Sequence, residues 1–167
     1  MSINQIDMLL CSMANYLNQH LKIKNRDDVL MIGIHTGGVW VAERLHSLLN
    51  LSTPLGQLNI AFYRDDFSHI GLHPHVKPST LPLEVENRHI ILVDDVLHTG
   101  RTIRAALNEI FDYGRPASVT LAVLVERNGR ELPIQPDVIG CSLCLENGKH
   151  IKLHGPDPLC LEIRGTA

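Results

Sequence analysis

His89-Ile90-Ile91-Leu92-Val93-Asp94-Asp95-Val96-Leu97-His98-Thr99-Gly100-Arg101-Thr102 is the stretch from which the fold is read. Ile90 to Val93 are four apolar residues in a row, the pattern of a strand buried on both faces inside a parallel sheet. Asp94 and Asp95 stand where that run ends. Thr99, Gly100 and Thr102 make a turn of small residues, and Ile103, Ala106, Leu107, Ile110 and Phe111 then recur at helical spacing. The order is strand, acidic edge, turn, helix start.

That order has a chemical consequence. The first N–H groups of a helix lack partners within it, and the helix dipole adds positive potential, so the turn offers a phosphate site. Gly100 lets the backbone approach the anion, and the Thr99 and Thr102 hydroxyls add hydrogen bonds. Asp94 and Asp95 can accept hydrogen bonds from sugar hydroxyls or orient a hydrated Mg²⁺. A ribose 5-phosphate carries both kinds of group. The bland alternative is a strand-turn-helix with an acidic edge and a threonine cap.

The run from Val93 to Thr102 resembles the phosphoribosyl-pyrophosphate (PRPP) signature of type I phosphoribosyltransferases. Gly114-Arg115-Pro116-Ala117, Leu121 to Val125 and Arg130-Glu131-Leu132-Pro133-Ile134 narrow the resemblance to the pyrimidine operon attenuator/uracil phosphoribosyltransferase family, PyrR. The likeness runs from about Val29 to Gly140. It implies that Val96, Leu97, His98, Thr99, Gly100, Arg101 and Thr102 surround the 5′-phosphate end of the substrate. It further implies that Asp94 and Asp95 act at the ribose, directly or through water on Mg²⁺.

Other segments fall into place around this centre. Ile6, Leu9, Leu10, Met13, Leu17 and Leu21 share one helical face, which predicts an amphipathic first helix. It is nearly uncharged, and Lys22, Lys24 and Arg26 form the basic cluster beyond it. Val29 to Ile34 reads as a buried strand feeding His35-Thr36-Gly37-Gly38 and a helix from Val39. By resemblance, His35, Thr36, Gly37 and Gly38 form the pyrophosphate loop, where backbone N–H groups need a tight turn. The family usually has basic residues at the positions of His35 and Gly37. Gly56 to Tyr63 is a strand candidate. Arg64-Asp65-Asp66 follows, and Arg64 is a catalytic candidate that would reach the pyrophosphate. Phe67 to Val85 has no periodicity and reads as a loop closing over substrates. His69, His73 and His75 in it lack acidic or cysteine partners at ligand spacing.

Beyond the central stretch, Val119 to Val125 is another buried strand, with Glu126 to Arg130 at its carboxyl end, where ligands gather in open α/β sheets. Arg127 and Arg130 are placed to pair with a phosphate or with Glu131. The family generally has a histidine where Gly129 stands. The resemblance puts Asp137-Val138-Ile139-Gly140 over the nucleobase, so Val138 and Ile139 are base-binding candidates through their backbone. Cys141, Cys144, His150 and His154 follow a C-x2-C-x5-H-x3-H spacing, too short for a zinc finger. A hairpin around Asn147-Gly148 is the simpler expectation, with a last strand at Leu159 to Ile163.

At 167 residues, 44% hydrophobic and 20% charged, the composition is that of one ordinary α/β domain. The expected architecture is a parallel sheet with flanking helices, and a small hood from the first helix and the C-terminal hairpin. Core residues are expected from about 29 to 140. A net charge of −3 and 4% aromatic residues argue against a broadly basic nucleic-acid binder or a stacking platform. No signal peptide or membrane span is read, and four cysteines fit reduced thiols, so the expected location is cytoplasmic with no membrane partner. Together with the resemblance, these features imply an enzyme joining PRPP and uracil, with Mg²⁺, to give UMP, working as a homodimer or larger homo-oligomer. An RNA-binding regulator acting on an mRNA leader and a purine phosphoribosyltransferase are the alternatives.

Overall fold

The computed structural model describes residues 3–21, 28–60 and 79–165. Helix α1 spans Ile3–Leu21, strand β1 Val29–Ile34, helix α2 Gly37–Leu49 and strand β2 Gly56–Leu58. Strand β3 (His89–Leu97), helix α3 (Arg101–Tyr113), and strands β4 (Ser118–Arg127) and β5 (Val138–Leu143) follow. Strands β6 (Lys149–His154) and β7 (Cys160–Gly165) close the order.

Strands β1 to β5 form one sheet in the order β2-β1-β3-β4-β5, every neighbour parallel. Alternation of side chains explains why the strands read as unbroken apolar runs. Val29, Met31, Ile91, Val93, Ala122 and Leu124 point to the face covered by α1 and α2. Leu30, Ile32, Ile90, Leu92, Leu121 and Val123 point to the opposite face, covered by Ile103, Ala106 and Ile110 of α3. Both faces are covered, so both residue parities are apolar.

The strand order reverses between β1 and β3. The chain leaves β1 toward β2 on one side and leaves β3 toward β4 and β5 on the other. The crevice above the carboxyl ends of β1 and β3 is the point where such sheets bind ligands.

Ile6, Leu10, Met13 and Leu17 of the first helix are buried in one cluster with α2, β5 and Leu153, Leu159 and Leu161 of the C-terminal hairpin. Two expectations are corrected. The segment at Asp137–Gly140 is longer than expected and joins the main sheet through Leu143, which pairs with Arg127. The C-terminal hairpin does not turn at Asn147-Gly148. It is β6 against β7, antiparallel from Lys149↔Gly165 to His154↔Cys160. Asn147 and Gly148 instead carry the chain from the main sheet into that hairpin, with Gly148 at φ 80°. The hairpin docks on α2 through buried Leu153, Leu159 and Leu161, and Arg44 of α2 meets Asp157 at 3.1 Å.

Candidate active site

The acidic pair lies within β3. The strand continues through Val96 and Leu97, which pair with Val125 and Glu126 of β4. On the other side, β1 pairs with β3 only as far as Gly33↔Val93. Asp94 and Asp95 therefore occupy the stretch of β3 where one neighbouring strand has ended and a loop has taken its place. Asp94 is 3% exposed, and its Oδ1 accepts the Asp95 N–H at 3.0 Å.

That loop is His35-Thr36-Gly37-Gly38. The His35 N–H still donates to the Leu58 carbonyl at 2.8 Å, and the His35–Thr36 peptide is cis. Helix α2 starts at Gly37, two residues before the expected Val39, and its Thr36 N-cap makes no side-chain capping bond. Absence of side chains here is a packing requirement. A Cβ on Gly38 would stand 2.7 Å from the Val93 carbonyl oxygen and 2.9 Å from the Asp94 Cα. A Cβ on Gly37 would run into the Asp95 carboxylate. The two glycines let the loop lie directly on the acidic pair.

The second turn is built the same way. Helix α3 begins at Arg101 after Gly100, at φ 94°, and has neither a side-chain cap nor an acidic residue in its first turn. The Arg101 N–H makes a long contact with Thr99 Oγ1 at 3.3 Å. Two helix starts thus open on one crevice with the carboxylates between them. Neither start is capped by the side chain of its N-cap residue, and each presents the positive end of its helix dipole.

Arg130-Glu131-Leu132-Pro133-Ile134 braces the second turn. The Glu131 and Leu132 N–H groups both donate to the Thr99 carbonyl at 3.1 Å, and Arg101 Nε donates to Glu131 Oε2 at 2.8 Å. Leu132 and Ile134 pack over Gly100. Arg130 pairs with Glu126 at 2.8 Å and donates to the Ile134 carbonyl, so it does not pair with Glu131 as the sequence suggested. Arg127 turns to the carbonyl of Lys149 at 3.0 Å.

Beyond the brace lies a cleft of about 420 Å³, walled by Glu126 to Arg130 on one side and Ser142, Leu143 and Cys144 on the other. Asn128 sets its shape. Its Nδ2 donates to the Leu145 carbonyl at 3.0 Å, and its Oδ1 accepts the Leu145 N–H at 2.8 Å, as a neighbouring strand would. The sequence placed Glu126 and Asn128 at the ligand end of β4 but gave them no role, and it did not single out Ser142; Asn128 meets Leu145, and Ser142 meets Glu126, across 17 and 16 residues.

The model of the phosphoribosyl transferase domain family matches residues 2–156. The bifunctional protein PyrR of Nitrosococcus oceani is 65% identical over 161 residues, covering 95% of this chain and 91% of that protein. The chain belongs to the PyrR family. A PyrR of Pseudomonas syringae pv. tomato is 56% identical over 164 residues, covering 98% and 96%. Among solved structures, the hypoxanthine phosphoribosyltransferase of Trypanosoma cruzi superposes with a TM-score of 0.67 at 18% identity, over 86% of this chain and 80% of that one. A hypoxanthine-guanine phosphoribosyltransferase of Bacillus anthracis gives 0.69 at 14% identity, over 86% and 81%. At such identities the structures share the fold alone.

Against the PyrR pattern, the structure brings together His35 to Gly38, Asp94 to Leu97 at the end of β3, and the turn from His98 to Thr102. Val138 and Ile139 stand two strands away from the acidic pair, in register with Val93 and Asp94 through β4. They begin β5, level with Ala122 and Val123; Val138 is 3% exposed in the core and Ile139 faces outward. The β5 residues at the ligand edge are Ser142 and Leu143. Arg64 and the histidines of the expected loop lie outside the described residues. Cys141 is half-buried and Cys144 exposed; both are free thiols, and burial pushes the Cys141 thiol up. Among the described residues, no three His, Cys, Asp or Glu side chains group as a metal cage. No described helix is long and apolar enough to cross a membrane.

Proposed function

We propose that this chain is a uracil phosphoribosyltransferase, joining PRPP and uracil to give UMP and pyrophosphate. The observation that carries the reading is the convergence of two uncapped helix starts on one crevice, with Asp94 and Asp95 between them. PRPP has the matching shape: a phosphate at one end, a pyrophosphate at the other, and a diol between.

In this reading His35, Thr36, Gly37 and Gly38 take the pyrophosphate, and the turn from His98 to Thr102 takes the 5′-phosphate. Asp94 and Asp95 take the ribose hydroxyls. The base N1 bonds to ribose C1′ while the C1′–oxygen bond to pyrophosphate breaks, the electron pair leaving with pyrophosphate and the N1 proton leaving the base. Positive charge builds on the ribose ring, so the protein works by holding the donor and stabilising the leaving group. Arg64 belongs to this proposal as a further cation for the pyrophosphate.

Phosphoribosyl transferases generally use PRPP with Mg²⁺. Two adjacent carboxylates, with the Gly37 turn packed against Asp95, suit a cation that keeps most of its water. Asp94 and Asp95 would hold it, and it would offset charge on the departing pyrophosphate. The nucleobase is assigned to the cleft between Arg127 and Leu143, and uracil follows from the PyrR relatives. An Asp94→Asn, Asp95→Asn double variant tests the assignment. UMP formation falls by roughly 100-fold or more while the fold persists; unchanged turnover ends it.

The relatives are named bifunctional, and the second activity we carry is nucleotide-dependent binding of a pyrimidine-operon leader RNA. Helix α1 holds neither Lys nor Arg, so phosphate contacts must come from other residues. A gel shift at two salt concentrations decides this: a regulator binds at low salt and loses affinity steeply as salt rises. A homodimer or larger homo-oligomer is part of the same proposal, measurable by light scattering.

A further inference from the structure

His98 and Gly129 meet from two loops. His98 lies between Leu97, the last residue of β3, and Thr99, where the phosphate turn begins. Gly129 lies on the wall of the cleft. A Cβ on Gly129 would stand 2.6 Å from His98 Nε2 and 3.0 Å from its Cδ2, and Gly129 has φ 103°, where side chains rarely go. The imidazole therefore takes the volume that a side chain at 129 would fill. Its ring touches both halves of the site.

Charges gather around this ring from β4, the connection after it and β6. Arg127 acts from the end of β4, Arg130 and Glu131 from the connection after it, and His150 from β6. Burial and then Arg127 hold the His98 imidazole below its ordinary value, with Glu131 opposing. The free ring is therefore neutral at pH 7. A phosphate dianion at the uncapped turn, starting one residue further along, opposes the cations and favours the protonated ring.

Resting on the phosphate assignment above, we propose that His98 is a positioning residue joining the two halves of the site. Phosphate in the Thr99–Thr102 turn draws a proton from solvent onto the ring, and the ring, seated on Gly129, carries that occupancy to the cleft wall.

The test is a histidine and backbone-amide NMR titration of the full chain, with and without ribose 5-phosphate. Bound ribose 5-phosphate raises the His98 midpoint by about one pH unit. The Gly129 amide then titrates with the same midpoint, and in His98→Gln it no longer titrates. If the amides of Thr99 to Thr102 respond to ribose 5-phosphate but the His98 midpoint stays, the coupling is overturned while the phosphate site stands. If those amides do not respond at all, the phosphate site falls, and the coupling with it.

Discussion

The crevice at β1 and β3 and the cleft at β4 and β5 sit on one sheet edge but are held in place by different forces. In the crevice, position comes from backbone packed on backbone: Gly38 lies on the Val93 carbonyl, Gly37 against Asp95, and both helix starts rise directly from strand ends. In the cleft, position comes from side chains, two of them reaching far across the chain: Asn128 to Leu145 and Arg127 to Lys149, with Arg130 paired locally to Glu126. The first kind of site has little room to adjust. The second can be retuned by single polar substitutions, which suits a surface that selects among bases while the donor stays the same.

This contrast is broken or sharpened by substitution. Gly38→Ala has the largest expected effect, because the added methyl meets main chain that cannot swing away. Stability falls by about 1–3 kcal/mol in denaturant unfolding, and PRPP binding falls with it. A silent substitution there would remove the claim that the crevice is set by close packing.

Asn128→Ala comes next. It leaves the Leu145 N–H and carbonyl without their partner, at a cost of about 1–2 kcal/mol. Kinetics separate the halves: KM for the nucleobase rises while KM for PRPP holds. If both rise together, the cleft and the crevice are not independent in their support.

Glu131→Gln has the smallest effect. Its ion pair with Arg101 is half-exposed on both sides, so the loss stays within about 1 kcal/mol. The two N–H bonds to the Thr99 carbonyl are main chain and survive the change. PRPP affinity is expected to shift only slightly; a large loss would make the ion pair, rather than the backbone brace, the support of the turn.

The same contrast explains what could be read from the sequence. The crevice was legible because its parts are local: an apolar strand, two carboxylates and a small-residue turn within the stretch from His89 to Thr102. Even there the end of β3 was misplaced, since Val96 and Leu97 belong to the strand only by virtue of pairing with Val125 and Glu126. Of the cleft, only the Glu126 to Arg130 wall was legible, as the carboxyl end of a buried strand. An asparagine amide standing in for a β-strand partner 17 residues away leaves no periodicity and no motif. Val138 and Ile139 are base candidates by resemblance alone, since a contact made through backbone leaves no mark in side-chain pattern; the register of β5 on β4 sets them level with Val93 and Asp94. The amphipathic pattern of α1 was read correctly, but it cannot say which surface the helix covers. Asn147-Gly148 marks a bend, as its composition says, but a turn signal does not name the strands it joins.

The central claim is that a donor crevice and a base cleft on one edge make a uracil phosphoribosyltransferase. Product formation from PRPP and Mg²⁺, with uracil, hypoxanthine, guanine and orotate in parallel, tests it most directly. UMP from uracil alone is the predicted result. Turnover with a purine, or none with any base despite measurable PRPP binding, would contradict it.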